Sequence, residues 1–249
     1  MSEHGRFYTD RTLVMAHRGA RGLAPENTLA AFATAIEVGA DAIELDVQPC
    51  ATGEIVVIHD GVLDRTTNGS GPVAEATFEA LRSLDTGSWF GAEFAAERIP
   101  TPGEVLDLAR GRLLVNVEIK TSGPEDLGVE AQLAEAIRAR RMEGEVLISS
   151  FNPSALLRIK RLAPALPRAL IYSSLQVFPL DLGLLGLTAL HPRVGLVHGA
   201  MVEMARARGY AVNAWTVNDP ADMQAMIALG VDAITTDHPE RLRALLPRA

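Results

Sequence analysis

Two histidines and three carboxylates in this sequence stand where they could do chemistry together. Glu44 and Asp46 lie two apart in the run Ala42-Ile43-Glu44-Leu45-Asp46-Val47, which alternates apolar and acidic residues. In a strand, that spacing puts both carboxylates on one face. On an exposed edge they would simply be solvated. Facing the axis of a closed barrel, they would repel each other and be costly to bury unless a cation offset them. A divalent ion that prefers hard oxygen ligands, Mg²⁺ or Ca²⁺, would do so. The six residues alone leave both options open. Val115-Asn116-Val117-Glu118-Ile119-Lys120 repeats the pattern, with Asn116, Glu118 and Lys120 on one face. Glu118 and Lys120 are either a plain surface pair, or a third carboxylate and a point charge for a phosphate oxygen.

His17 ends one apolar run, in Ala16-His17-Arg18-Gly19, and His59 ends another, in Val57-Ile58-His59-Asp60. A histidine titrates near neutral pH, so a pair can serve as base and acid. Arg18 offers a planar donor fork for phosphate oxygens, and Gly19 lets the backbone turn tightly. The other histidines, His4, His191, His198 and His238, have no such company and are assigned to structural or exposed positions. Asn27 or Thr28 is a plausible N-cap for the helix that follows. Trp215 ends one strand and Phe151 follows another, where they either fill core or wall a substrate pocket. Asp237 is assigned to capping the segment after it.

These side chains need a frame that gathers strand ends at one rim. Strands are expected at Leu13–Ala16, Ala42–Val47, Leu113–Ile119, Glu145–Ser149, Ala169–Tyr172, Thr188–Leu190, Tyr210–Trp215 and Asp232–Thr235, with helices over Thr28–Val38, Leu127–Arg141, Pro153–Leu162, Ala200–Arg208 and Pro220–Leu229 between them. That alternation predicts an α/β protein, a (β/α)8 TIM barrel whose strand ends carry the chemistry. Glu54–His59 breaks the alternation. It follows the second strand after too short a turn for a crossover, so it is expected to form an antiparallel β-hairpin. Residues 60–104 are expected to be an inserted loop region with one short helix near Thr77–Leu84. Loops of that length in compact domains are usually functional. Residues 1–249 are taken as one barrel domain.

Composition narrows the partners. The formal net charge is −8, with 21 of the 23 basic residues arginine, so a long nucleic-acid backbone would be repelled and nucleic acid is excluded as a partner. A small phosphodiester is not excluded, because a bound cation reverses the local sign. Cys50 is the single cysteine, which rules out an internal disulfide and suits a buried position. Met1–Asp10 shows no apolar signal segment, and the most apolar stretch, Phe178–Leu190, is too short to span a bilayer. A cytoplasmic protein without stable membrane insertion is expected. Leu175–Leu187 is expected to be an ordinary barrel helix rather than an apolar rim.

Taken together, His17-Arg18-Gly19, Pro25-Glu26-Asn27-Thr28, Glu44-Leu45-Asp46-Val47, His59-Asp60, Asn116-Val117-Glu118-Ile119-Lys120, Ser150-Phe151, Trp215-Thr216-Val217-Asn218 and Thr236-Asp237-His238-Pro239 fall in an order and spacing that resembles the glycerophosphodiester phosphodiesterase family. The resemblance runs nearly end to end. It implies a barrel with one divalent cation, Mg²⁺ or Ca²⁺, held by Glu44, Asp46 and Glu118. It makes His17 and His59 the acid/base pair, and Arg18 and Lys120 phosphate contacts. The substrate it implies is a small glycerophosphodiester, cleaved to glycerol 3-phosphate and an alcohol. A lysophospholipase D-type activity at the same site and a non-catalytic phosphate-metabolite-binding barrel are the alternatives.

Overall fold

The computed structural model describes residues 7–121, 123–174 and 182–247. Eight parallel strands close on themselves: β1 (Leu13–Ala16), β2 (Ala42–Pro49), β4 (Leu114–Ile119), β5 (Val146–Ser150), β6 (Arg168–Tyr172), β7 (Ala189–Pro192), β8 (Ala211–Ala214) and β9 (Ala233–Thr236). Closure comes from β1, which pairs with β2 on one side and β9 on the other. The expected hairpin is present. β3 (Ile55–Val57) runs antiparallel to the upper half of β2, with Val47 opposite Val57.

Helices cover the outside of this barrel. α1 (Leu29–Glu37) begins at Thr28, whose hydroxyl accepts from the Ala31 amide. α2 (Phe78–Ser83) is the short helix of the insertion. α4 (Val129–Arg140), α5 (Pro153–Leu162), α7 (Gly199–Ala207) and α8 (Pro220–Leu229) match the expected helices to within a few residues. Two helices had not been expected. α3 (Pro102–Ala109) is the crossover from the insertion back to β4, so the irregular loop ends before residue 104. Its start is marked by a full capping box, in which the Thr101 hydroxyl accepts from the Glu104 amide and the Glu104 carboxylate accepts from the Thr101 amide. α9 (Pro239–Leu245) packs on β1. Of Leu175–Leu187, the described part contains one helical turn, α6 (Leu182–Leu185), and residues 175–181 lie outside the described residues. Among the described residues no helix is long and apolar enough to cross a membrane.

Alternation along the strands sorts the barrel interior into layers. The lowest is built from Leu13, Ala42, Leu147, Ala169, Ala189, Ala211 and Ala233. Five alanines leave a hole that branched side chains would otherwise fill. Phe7 and Tyr8 fill it from below, edge to face with centroids 5.2 Å apart. The Tyr8 hydroxyl meets His191 Nε2 at 3.0 Å, so the plug is tied to the next layer. Burial drives the His191 pKa down to about 3, which keeps the ring neutral at physiological pH. Tyr8→Phe should cost about 1 kcal/mol in urea unfolding, since it strands one buried imidazole nitrogen while preserving the packing.

Candidate active site

The site is built at the C-terminal ends of the strands, where barrel sites sit. β2 and β4 run in register, with Glu44 beside Asn116 and Asp46 beside Glu118. The two acidic patterns therefore meet inside the barrel, not on a solvated edge. One oxygen from each of Glu44, Asp46 and Glu118 lies within 4.8 Å of the others. Burial and the charges of Asp46 and Glu118 raise the Glu44 pKa well above the carboxylate range. Burial and Asp46 push Glu118 up to about 7, against the pull of Lys120. Three oxygen donors that destabilise one another in this way form a fitting cradle for a hard divalent cation.

The cradle is braced from the loop after β1. Arg18 has a left-handed backbone, φ 54°, and its amide donates to Glu44 at 3.0 Å. Its guanidinium lies 3.3 Å from Asp46 and 2.8 Å from Glu26. Asn27, also left-handed at φ 57°, donates from its side-chain amide to Asp46 at 2.9 Å. Thr28 is therefore the N-cap, and Asn27 instead holds a carboxylate of the cradle. Gly19 is required by its surroundings, because a Cβ there would lie 2.7 Å from Ala31. On the opposite flank, Lys120 Nζ lies 2.9 Å from Glu118 and 3.7 Å from Asp46.

Each histidine has its own carboxylate. His17 Nδ1 is 2.7 Å from Asp237, and His59 Nδ1 is 2.6 Å from Asp60. Pairing through Nδ1 leaves Nε2 of both rings for the cavity that both residues line. Burial lowers both imidazole pKa values, more than their carboxylate partners raise them. Asp237 thus orients His17 and does not cap α9, whose N-cap position, His238, makes no side-chain cap bond. Burial pushes the Asp237 carboxyl up, but the His17 hydrogen bond and the Arg21 charge outweigh it and hold it at about 2. Asn218 completes its setting, donating at 2.8 Å.

Arg65, from the insertion, ties the two flanks together. It donates to Asp60 from Nε at 2.5 Å and to Glu26 from both terminal nitrogens at 2.9 and 2.7 Å. Glu26 is 3% exposed and is held near a pKa of about 2 by Arg65, Arg18 and Arg21 despite its burial. A single chain of contacts thus runs from His59, hydrogen-bonded to Asp60, through the ion pairs of Asp60, Arg65 and Glu26 to Arg18.

The two histidines, Arg18, Lys120 and two of the three carboxylates open on one cavity of about 280 Å³. Its mouth is walled by Phe151 and Trp215, perpendicular with centroids 5.5 Å apart, and the Trp215 indole N–H donates to the His191 carbonyl at 2.8 Å. His17, Arg18, Glu44, His59, Glu118, Lys120, Phe151 and Trp215 all line it, and Asp46 lies just behind as the most buried of the carboxylates. His191, assigned from sequence to a structural or exposed role, lies in its floor. His198 caps α7, accepting from the Met201 amide.

This geometry can be compared with that of known proteins. Residues 17–241 match the Glycerophosphoryl diester phosphodiesterase family. The chain is 45% identical over 234 residues to a glycerophosphodiester phosphodiesterase of Caldanaerobacter subterraneus subsp. tengcongensis, covering 93% of this chain and 96% of that protein. It is 34% identical over 251 residues to a glycerophosphodiester phosphodiesterase of Bacillus subtilis, covering 93% of this chain and 85% of that one. Among solved structures, a phosphodiesterase of Oleispira antarctica in complex with the product sn-glycerol-3-phosphate superposes with a TM-score of 0.82 at 32% identity, over 92% of this chain and 94% of that one. The strand order, the register that pairs two acidic strands and the match across residues 17–241 agree, and the chain belongs to the glycerophosphoryl diester phosphodiesterase family.

Proposed function

We propose that this protein hydrolyses glycerophosphodiesters to glycerol 3-phosphate and a free alcohol. The observation that carries the proposal is the meeting of two carboxylate-oriented histidines and three crowded carboxylates in one cavity. The product complex of the similar Oleispira antarctica phosphodiesterase supports it.

Glu44, Asp46 and Glu118 would hold one divalent cation, Mg²⁺ or Ca²⁺, which when bound offsets charge on the phosphoryl oxygens. Arg18 and Lys120 add positive charge from either side of the cradle. A hydroxyl of the substrate attacks phosphorus, and one histidine takes its proton through Nε2. The P–O bond to the alcohol breaks, and the other histidine protonates the departing oxygen. Water then opens the cyclic phosphodiester by the same proton exchange in reverse. Asp60 and Asp237 fix the tautomer and stabilise each imidazole while it carries the extra proton.

Arg65 acts through Asp60 and Glu26 rather than by touching substrate. Arg65→Ala should lower kcat about tenfold with little change in KM, because His59 loses the brace behind Asp60 while Arg18 keeps its own pairings with Glu26 and Asp46. Millimolar guanidinium ion should restore part of the rate. Unchanged kinetics in this variant would remove Arg65 from the account.

A second reading, lysophospholipid hydrolysis, would need the opposite orientation, with the acylated glycerol arm lying along the half-exposed Phe151, which stands perpendicular to Trp215 at the mouth. Purified protein supplied with Mg²⁺ or Ca²⁺ should be offered glycerophosphocholine, glycerophosphoethanolamine and lysophosphatidylcholine in parallel. Release of glycerol 3-phosphate from the first two supports the main reading. Choline release confined to lysophosphatidylcholine moves the activity to lipid, and no release from any of the three refutes both.

A further inference from the structure

Neither packing nor the proposed proton transfers account for the layer beneath the carboxylates. Barrel interiors are normally filled with branched apolar side chains. Here Asn116, Ser149, His191, Asn213 and Thr235 are all buried at mid-depth on inward-facing strand positions. Asn116 is 2% exposed and lines the cavity, and its Oδ1 has no hydrogen-bond partner. Its amide nitrogen reaches only the Met15 sulfur, at 3.8 Å. The Asn213 amide nitrogen meets the same sulfur at 3.5 Å and His191 Nδ1 at 3.5 Å, both long contacts. Exchanging the oxygen and nitrogen of the Asn116 amide does not help, since one end would still face the cavity alone. A buried amide left so poorly satisfied is costly, and in a ligand cavity it points to what enters.

The rest of the cavity indicates which part of the substrate that is. The mouth is aromatic and open to solvent, so it tolerates alcohols of different size and suits a cationic one through the ring faces. The floor is neutral. Asn116, Asn213 and Thr235 carry no charge, and burial keeps His191 uncharged as well. Such a surface matches hydroxyl groups, which both donate and accept. The reacting phosphate must lie between mouth and floor, beside the histidines and the cradle.

We propose that Asn116, supported by Asn213 and Thr235, forms a hydroxyl-binding subsite that takes the glycerol arm of the substrate, while the leaving alcohol lies outward along Phe151 and Trp215. Thr235 donates to Asn213 Oδ1 at 3.1 Å and so sets the orientation of the second amide. The free end of Asn116 accepts from a glycerol hydroxyl. The Tyr8 plug, through His191, closes the barrel below it. This inference rests on the proposed glycerophosphodiester hydrolysis and identifies which end of the substrate the site holds constant.

The test is calorimetric binding of sn-glycerol 3-phosphate and methyl phosphate to metal-loaded wild type and Asn116→Leu. The two ligands share a phosphate and differ in the glycerol hydroxyls. The subsite predicts that Asn116→Leu weakens glycerol 3-phosphate binding about tenfold and methyl phosphate binding less than twofold. Equal losses for both ligands, or none for either, overturn it. If circular dichroism shows Asn116→Leu unfolded, Asn213→Leu is put through the same comparison and judged by the same outcomes. Wild-type protein that binds neither ligand and releases no glycerol 3-phosphate refutes the proposed function, and the subsite falls with it. Wild type that is active, with a variant that does not discriminate, refutes the subsite alone.

Discussion

Replacing either His17 or His59 with alanine is expected to lower kcat by about 10²- to 10⁴-fold, the range that positioned acid or base groups contribute. KM should change by far less, because the proposed phosphate contacts are Arg18 and Lys120 rather than either imidazole. The two variants should differ in stability. His17 is the more enclosed ring, and its loss leaves Asp237 leaning on Asn218 and Arg21 alone. His17→Ala should therefore cost about 1 kcal/mol, and His59→Ala less. The double variant should lose little beyond the worse single one, since proton removal and proton return belong to one exchange. Steady-state rates with urea melts measure both effects. Activity within a factor of three of wild type in either variant would remove that histidine from the chemistry.

Asp46→Asn is expected to abolish detectable turnover and, with it, the rise in melting temperature caused by a divalent cation. Asp46 is 1% exposed and gathers Asn27, Arg18 and Lys120 around it, so the isosteric amide tests charge with little change of shape. For the wild type, cation at about a hundredfold excess over Kd should raise the melting temperature by roughly 5–10 °C. The size of that rise should depend on pH with a definite sign. Burial beside Asp46 pushes the Glu118 carboxyl up to about 7, and burial raises Glu44 as well. A protonated carboxyl competes with the cation, so binding weakens as pH falls through 7 and strengthens as pH rises through it. The cation-induced shift should be clearly larger at pH 8 than at pH 6. A pH-independent shift, or one that survives in Asp46→Asn, would place the cation elsewhere.

The fold was legible because its signals are local. Each strand announced itself by a short apolar run, and the hairpin by a turn too short for a helix. α3 follows a long aperiodic insertion with no strand immediately before it, so apolar periodicity does not mark it, although Thr101-Pro102-Gly103-Glu104 spells out a capping box. The acidic and histidine members of the site were legible for a related reason. Charged residues two apart in an apolar strand are anomalous wherever they occur.

Their partners were not legible. Asp237 reaches His17 across 220 positions and Arg65 reaches Glu26 across 39, and nothing local to either residue announces the contact. Asp237 also had an adequate local explanation, as a cap before Pro239, which the folded chain overrides. His191 had no acidic company in sequence. Only strand register brings it under the site, beside Asn213 on the neighbouring strand. The alanine ring at the barrel bottom is visible in sequence only as scattered small residues. Its meaning appears once Phe7 and Tyr8 are seen filling it.

The central claim is cation-dependent hydrolysis by the histidine pair, and glycerol 3-phosphate release from glycerophosphocholine tests it most directly. Wild type and His59→Ala would be assayed with Mg²⁺ or Ca²⁺, after chelation, and after the cation is returned. The account predicts release by wild type that stops on chelation and returns with the cation, and almost none from His59→Ala under any condition. Release that persists in chelator, or that His59→Ala sustains, would contradict it.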